Sequence, residues 1–270
     1  LEGHSIPFPL FSFSLTMASS WTVVGKGGKV MESLSYSEEG GDCDFDLIRK
    51  PLSLKQGRKV LARRTEELRA DDRFLSRTRD IFEGSFATLM HSDNTEHTPK
   101  RILFITYGIG RIFQSAASQY QAAAMMLFAD WMRNRVEQTP TLESISCEVY
   151  DPILREEEKQ WLQDQKFSLI QEDEMCKRYV PKGCRAVFFM PHCENFMYNN
   201  LIHCNQADDA LSRLCIIGNS FVHYDECTMS TKKRRNIKEL LGVLDRSREV
   251  PFPVFAKAAN VFNNTCFISF

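Results

Sequence analysis

Arg101-Ile-Leu-Phe-Ile-Thr-Tyr-Gly-Ile-Gly110 is the stretch that decides the fold. It is an apolar run with several β-branched residues, and it stops abruptly at Gly108 and Gly110. From Gln114 onward apolar residues recur at helical spacing, which predicts a helix ending near Arg135. A strand, a glycine turn and a helix in this order begin an α/β sheet of the nucleotide-binding type.

Further strands alternate with helices along the rest of the chain. Short apolar runs predict strands at 144–150, 167–170, 186–190 and 214–217, and a final edge strand at 254–256. Segments with helical periodicity predict helices at 154–165, 175–179, 195–205 and 232–244. The expected fold class is α/β: a Rossmann-like, mostly parallel sheet with helices on both faces, a disordered N-terminal tail and a helical N-terminal extension.

Composition divides the chain into three parts. Residues 17–57 are rich in glycine, serine and charge, and residues 1–57 are predicted to be a disordered tail, with Met17 as the expected start and 1–16 upstream of it. Residues 58–92 are predicted to be a charged helical extension whose arginines are largely cancelled by acidic residues. A nucleic-acid surface is the less favoured interpretation of those arginines. Residues 93–270 are predicted to be the Rossmann-like domain.

The bulk composition is that of a globular chain. Apolar residues make up 43% and charged residues 26% of 270 residues, and the net charge is −1. No overall field attracts nucleic acid or an anionic membrane, and no apolar run approaches the roughly 20 residues of a membrane helix. The odd number of cysteines, nine, indicates free thiols in a reducing, intracellular compartment. We therefore expect no membrane association, and nucleic acid is an unlikely partner.

Four predicted strands end in residues that suit a binding site. These ends are Tyr107-Gly-Ile-Gly110, Tyr150-Asp-Pro152, Met190-Pro-His-Cys193 and Ile217-Gly-Asn-Ser220. Ligands of open parallel sheets bind outside the carboxyl ends of the strands. The sequence therefore predicts that all four ends converge on one small-molecule site.

The first two ends suggest a nucleotide-type ligand. Gly108 and Gly110 would admit a cofactor backbone, or they only form a tight turn, because the third glycine of the dinucleotide fingerprint is missing. Ser115 and Ser118 line the same edge, or Ser118 begins a capping box. Asp151 holds a ribose hydroxyl, or it opens an Asp-Pro turn.

The other two ends supply polar groups. His192 is the candidate catalytic residue, as an acid, a base or a donor to the ligand, and the alternative is that it caps the following helix. Gly218, Asn219 and Ser220 supply donors or form a plain turn. His192-Cys193 and His203-Cys204 are separated by a predicted helix of roughly 16 Å, which is too long for one zinc ion, so no metal is expected.

Together these strand ends resemble the family named for "sensitivity to red light reduced". The resemblance covers roughly residues 100–265, and Gln206 stands where the family usually has tryptophan. Trp21-Thr-Val-Val24 also looks like the opening of that family. The matching stretches are Tyr107-Gly-Ile-Gly110 with Ser118 and Gln119, Tyr150-Asp-Pro152, Phe188-Phe-Met-Pro-His-Cys-Glu194 with Tyr198 and Asn205, and Ile217-Gly-Asn-Ser-Phe221 with Tyr224.

The resemblance implies a regulatory protein. Plant members act in light input to the circadian clock, and animal members are linked to clock gene expression and to haem biosynthesis. It also implies unidentified protein partners and a cytoplasmic location, with the nucleus as a second one. The alternative hypothesis is a transferase-like enzyme that binds a nucleotide-type cofactor at the strand ends, with His192 moving the proton.

Overall fold

The computed structural model describes residues 51–91 and 99–270. The first 50 residues of the predicted tail, with Met17 and Trp21-Thr-Val-Val24, lie outside the described residues, as do 92–98. Among the residues that are described, no helix is both long enough and apolar enough to cross a membrane.

A seven-stranded sheet forms the centre of the described chain. Its order is β3-β2-β1-β4-β5-β7-β6. Strands β1 to β5 are parallel to one another, and β7 is antiparallel to both of its neighbours. The predicted Rossmann-like α/β class is confirmed. The strands are β1 (Arg101–Tyr107), β2 (Ser144–Tyr150), β3 (Ser168–Leu169), β4 (Cys184–Met190), β5 (Leu214–Asn219), β6 (Arg248–Pro251) and β7 (Thr265–Ser269).

Helices cover both faces of the sheet. Side chains of β1 alternate between two separate cores, with Ile102 and Phe104 in one and Leu103 and Ile105 in the other. The first core is closed by α1 to α4, and the second by α5 and α8. The helices are α1 (Leu54–Ala70), α2 (Asp72–Met90), α3 (Ala116–Gln138), α4 (Glu156–Asp164), α5 (Asn195–Cys204), α6 (Phe221–Cys227), α7 (Thr231–Asn236) and α8 (Lys238–Leu241).

The two N-terminal helices share a core with the sheet. The helical extension predicted at 58–92 consists of two helices, and α1 begins at Leu54, within the predicted tail, while Asp71 separates α1 from α2. The Asp71 side chain accepts a hydrogen bond from the backbone N–H of Phe74 at 2.9 Å and so caps α2. Phe82 on α2 is buried, and its ring centroid lies 5.6 Å from that of Phe128 on α3.

A buried polar cluster holds α1 against α3. The Arg64 guanidinium, 8% exposed, donates to the Tyr120 hydroxyl at 2.9 Å and to the Glu67 carboxylate at 3.1 Å. Tyr120 donates to Glu67 at 2.6 Å, and Lys257 forms an ion pair with Glu67 at 2.8 Å. Burial raises the pKa of Glu67, but hydrogen bonds from Lys257, Tyr120 and Arg64 outweigh it and lower the pKa to about 2. Part of the predicted charged face therefore lies inside the protein.

The predicted helix at 175–179 is wrong. Met175 and Cys176 have φ values of 50° and 57°, which a right-handed helix cannot contain. Arg178 instead fastens the segment by pairing with Glu174 at 2.6 Å and with Glu148 on β2. The loop therefore lies over the carboxyl ends of the strands.

The C-terminal part also differs from its prediction. The single helix expected at 232–244 is divided into α7, α8 and a 3-10 turn at Leu244–Arg246. The edge strand expected at 254–256 is wrong, since β6 is the edge and 256–258 form a 3-10 turn. Pro251 at the end of β6 cannot donate to a ladder, which suits an outer strand.

Candidate functional site

A cavity of about 280 Å³ opens at the carboxyl ends of β1, β2 and β4. We call it the strand-end cavity. The loop containing Met175 and Cys176 and the start of α5 form its remaining walls. Of the residues predicted for the site, it contains Gly108, Gly110, Ser115, Ser118, Asp151 and His192.

The glycine turn after β1 is required by the fold itself. Gly108 and Gly110 have φ values of 67° and 74°, a region that residues with a Cβ rarely adopt. A Cβ would lie 2.7 Å from the Cys193 Sγ at Gly108, and 2.6 Å from the Ser118 Oγ at Gly110. These contacts explain both glycines without a ligand, and they also leave the turn backbone lining the cavity.

Asp151 follows β2 and is 9% exposed. Its Oδ2 accepts a hydrogen bond from the Gly110 N–H at 2.7 Å, and its Oδ1 accepts one from the Ile153 N–H at 3.0 Å. Burial raises the pKa of Asp151, although these two bonds and the charge of Arg111 oppose the rise. Each oxygen accepts one hydrogen bond, so each keeps a lone pair for a ligand donor.

The start of α3 supplies two hydroxyl groups. The helix begins at Ala116, so Ser115 rather than Ser118 is its N-cap, and the Ser115 Oγ accepts from the Ser118 N–H at 3.3 Å. Ser118 is 8% exposed, and within the described residues its own Oγ has no hydrogen-bond partner. This hydroxyl lines the cavity and is available there to a ligand.

His192 presents a neutral ring. Its Nε2 lies 3.0 Å from the Val261 carbonyl oxygen, which can only accept, so Nε2 carries the hydrogen. Burial lowers the pKa of His192 and the bond to Val261 only partly offsets this, so Nδ1 is an unprotonated acceptor at neutral pH. Nδ1 has no partner among the described residues. The ring does not cap α5, whose N-cap position is Glu194.

The fourth strand end does not reach the cavity. Asn219 is the last residue of β5; its backbone N–H donates to the Tyr198 hydroxyl oxygen at 3.0 Å, and its side-chain amide donates to the Tyr224 hydroxyl at 2.8 Å. The ring of Tyr198 lies against Gly218, and Ser220 caps α6 through the His223 N–H. Side chains from α5 and α6 thus fill the space where Gly218, Asn219 and Ser220 were predicted to meet a ligand.

Three charged residues of the cavity were not predicted: Arg111, Asp173 and Glu194. Asp173 accepts a hydrogen bond from the Met175 N–H at 2.8 Å. Arg111 directly follows the glycine turn, and Glu194 directly follows His192-Cys193. Neither side chain forms an ion pair or a hydrogen bond within the described residues. Burial raises the pKa of Glu194. Their position beside the motifs was the available signal. In the described parts of the chain, no three His, Cys, Asp or Glu residues come together to hold a metal ion.

Comparison with known proteins links the chain to one family. Residues 78–269 match the SRR1 domain. The chain is 35% identical to SRR1-like protein of Mus musculus over 142 residues, 53% of each chain. It is 31% identical over 129 residues to Protein SENSITIVITY TO RED LIGHT REDUCED 1 of Arabidopsis thaliana, 47% of this chain and 42% of that one. The matches span about half the length of these relatives.

Solved structures show only a remote likeness. Two complexes of the plantazolicin methyltransferase BpumL, each with a desmethylPZN analog and SAH, are 14% and 13% identical to the chain. They cover 78% and 80% of this chain and 90% and 97% of theirs, with a TM-score of 0.30 in both cases. A TM-score this low gives no basis for transferring a function.

Proposed function

The chain belongs to the SRR1 family, and we propose that it is a regulatory protein acting on circadian clock gene expression and haem biosynthesis. These roles are the ones that the family resemblance implies, and the Arabidopsis relative is named for its response to red light. In this proposal it acts through protein partners in the cytoplasm and the nucleus. A nucleotide-type ligand in the strand-end cavity controls that action.

The observation that carries the ligand proposal is the carboxylate of Asp151 at the wall of the strand-end cavity. An acidic residue after the second strand of a Rossmann-like sheet is suited to accept hydrogen bonds from ribose hydroxyls. The free lone pairs of Asp151 match such donors. The turn from Gly108 to Gly110 brings the backbone close to the same space.

The size of the cavity favours one nucleoside over a dinucleotide. Its volume of about 280 Å³ lies just below the range of roughly 300–1,000 Å³ for small-molecule sites. A dinucleotide crosses the switch point of the sheet and occupies both halves. Here the β5 side is filled by Tyr198 and Tyr224, which leaves one half open.

A thermal-shift series tests this proposal. The purified chain is melted with adenosine, S-adenosylmethionine, nicotinamide dinucleotides, ATP and haem. A ligand at 100 times its Kd stabilises the folded state by about 2.7 kcal/mol. Ala117→Leu fills the cavity from the first turn of α3, and Ala62→Leu makes the same change on the exposed face of α1. We expect a nucleoside to raise Tm in the wild type and in Ala62→Leu, but not in Ala117→Leu.

A cellular replacement separates the regulatory role from binding alone. Cells lacking their own copy receive the wild type, Ala117→Leu or Ala62→Leu, and the rhythm of clock transcripts and the haem content are followed. We expect the wild type and Ala62→Leu to restore both, and Ala117→Leu to restore neither. Full rescue by Ala117→Leu would contradict control by the cavity.

A transferase is the second candidate, favoured by the unpartnered Nδ1 of His192. A neutral imidazole beside a cofactor cleft can accept a proton from a nucleophile. His192→Gln keeps a donor for the Val261 carbonyl and removes this acceptor. If the protein is an enzyme, the wild type consumes the bound cofactor in a cell extract and His192→Gln binds it without consuming it. A regulator leaves the cofactor intact in both proteins.

A further inference from the structure

The strand-end cavity carries an excess of negative charge. Asp151, Asp173 and Glu194 line it, and Arg111 is the one permanent cation among the described lining residues. His192 does not offset the imbalance, because burial lowers its pKa and keeps the ring neutral at pH 7. Carboxyl groups therefore outnumber permanent cations among the described lining residues by three to one.

No carboxyl group of the cavity forms an ion pair with a described residue, although the charge of Arg111 acts on Asp151, whereas acidic residues just outside the cavity are paired. Glu174 and Glu148 both bind the guanidinium of Arg178. By contrast, Asp151 accepts only backbone hydrogen bonds, and Glu194 makes no ion pair or hydrogen bond with any described residue. Buried charges are ordinarily paired. Glu194 is only partly buried and has no ion pair, which leaves its carboxyl group available to a cationic ligand in the cavity.

An independent feature also points to a ligand in this space. The Ser118 hydroxyl is on a residue that is 8% exposed, it lines the cavity, and it has no partner among the described residues. Phe196 and Met197, which follow Glu194 in the chain, also line the cavity, as does Met175. Aromatic faces and thioethers are polarisable, and they accommodate a cation that carries apolar substituents.

We infer that the strand-end cavity binds a nucleoside with a net positive charge, and that Glu194 is the residue that selects for this charge. The inference rests on the proposed nucleoside site and narrows its ligand class. An onium or ammonium group lies toward Glu194, with the ribose on Asp151 and a polar atom on the Ser118 hydroxyl. Polyphosphate nucleotides are disfavoured because their charge has the same sign as the wall.

Calorimetric titration of the full chain with four adenosyl probes tests the charge preference. S-adenosylmethionine and S-adenosylhomocysteine differ by one methyl group and one positive charge, adenosine is neutral, and ADP is anionic. We expect S-adenosylmethionine to bind at least tenfold more tightly than S-adenosylhomocysteine, and ADP to bind more weakly than adenosine. Raising the salt concentration should narrow the first difference, because Glu194 is only partly buried and salt screens its charge.

A matched pair of variants assigns the preference to one side chain. Glu194→Gln removes the carboxyl group in the cavity. Glu137→Gln removes an exposed charge near the C-terminal end of α3, about 30 Å along that helix from its first turn at the cavity. We expect Glu194→Gln to reduce the preference for S-adenosylmethionine over S-adenosylhomocysteine to below threefold. The affinity for adenosine should not change. Glu137→Gln should leave both unchanged. Melting curves of both variants verify that they are folded.

The outcomes distinguish this inference from the proposed function. If adenosine binds and ADP binds as tightly as S-adenosylmethionine, the charge selection is wrong and the nucleoside site stands. The same holds if Glu194→Gln keeps the full preference. If none of the four probes binds, the nucleoside site itself is wrong, and the charge inference is overturned with it.

Discussion

Replacing Gly110 by alanine tests how the turn after β1 is built. The new Cβ would have to adopt a φ of 74° and would lie 2.6 Å from the Ser118 Oγ. The left-handed backbone costs about 1–2 kcal/mol for a residue with a Cβ. Overpacking against a neighbouring side chain adds about 1–3 kcal/mol. We expect Gly110→Ala to lower the free energy of unfolding by about 2–5 kcal/mol.

A double-mutant cycle separates the two costs. Ser118→Ala deletes the clashing oxygen, which has no hydrogen bond to lose within the described residues, and leaves the nearest side-chain atom 3.7 Å from the new Cβ. In that background Gly110→Ala should cost only the backbone part, about 1–2 kcal/mol. Gly84→Ala is the control, because Gly84 lies within α2 with no atom within 4 Å of its Cβ position. It should stabilise the protein by about 1 kcal/mol.

Thermal and urea unfolding of the wild type and the four variants provide the measurement. In a chain of this size, each kcal/mol corresponds to about 2–4 °C in Tm. The reasoning is refuted if Gly110→Ala melts within about 2 °C of the wild type. If Gly110→Ala lowers the free energy of unfolding equally in the wild type and in the Ser118→Ala background, the steric contribution is refuted and the backbone contribution stands.

Three further changes test other parts of the structure. Tyr198→Phe leaves the backbone N–H of Asn219 without its partner and should cost about 1–3 kcal/mol in urea unfolding; an unchanged midpoint would contradict this. Phe82→Ala opens a cavity between α2 and α3 and should cost about 3–5 kcal/mol, whereas a loosely attached α2 would melt separately without affecting the sheet. The pKa of Glu67 is lowered to about 2, so its carboxylate stabilises the fold above its ordinary pKa and loses this effect as the pH falls toward 2. Glu67→Gln should therefore be about 3 kcal/mol less stable than the wild type at pH 7 and nearly as stable as the wild type at pH 2. A difference in stability that does not change with pH would contradict the lowered pKa of Glu67 as its cause.

The fold was predictable where local pattern and environment agree. β1 and β4 are buried on both faces, so their apolar runs identify them without further information. Val254-Phe-Ala256 is also a short apolar run, but it is not a strand. Phe255 instead inserts into the core, where its ring centroid lies 5.1 Å from that of Phe74. Strand β7 was missed because its antiparallel pairing with β5 joins segments about 50 residues apart, which no local periodicity reveals.

The candidate site was predictable for three of the four strand ends. Three strand ends converge because parallel strands share one edge, and this rule placed Asp151 and His192 beside the glycine turn. The fourth end has an equally suitable sequence, but Tyr198 from α5 and Tyr224 from α6 occupy it. Glu194 and Arg111 were missed because an unpaired charge is recognisable only when the surrounding partners are known.

The position of β7 has a consequence for protein synthesis. β7 is the last strand of the described sheet, yet it lies between β5 and β6. A nascent chain that has left the ribosome only as far as β6 therefore presents β5 with an open hydrogen-bonding edge. Open edges pair readily with other chains. The edge of β5 therefore stays open during translation until β7, about 50 residues further along the chain, has emerged and paired with it.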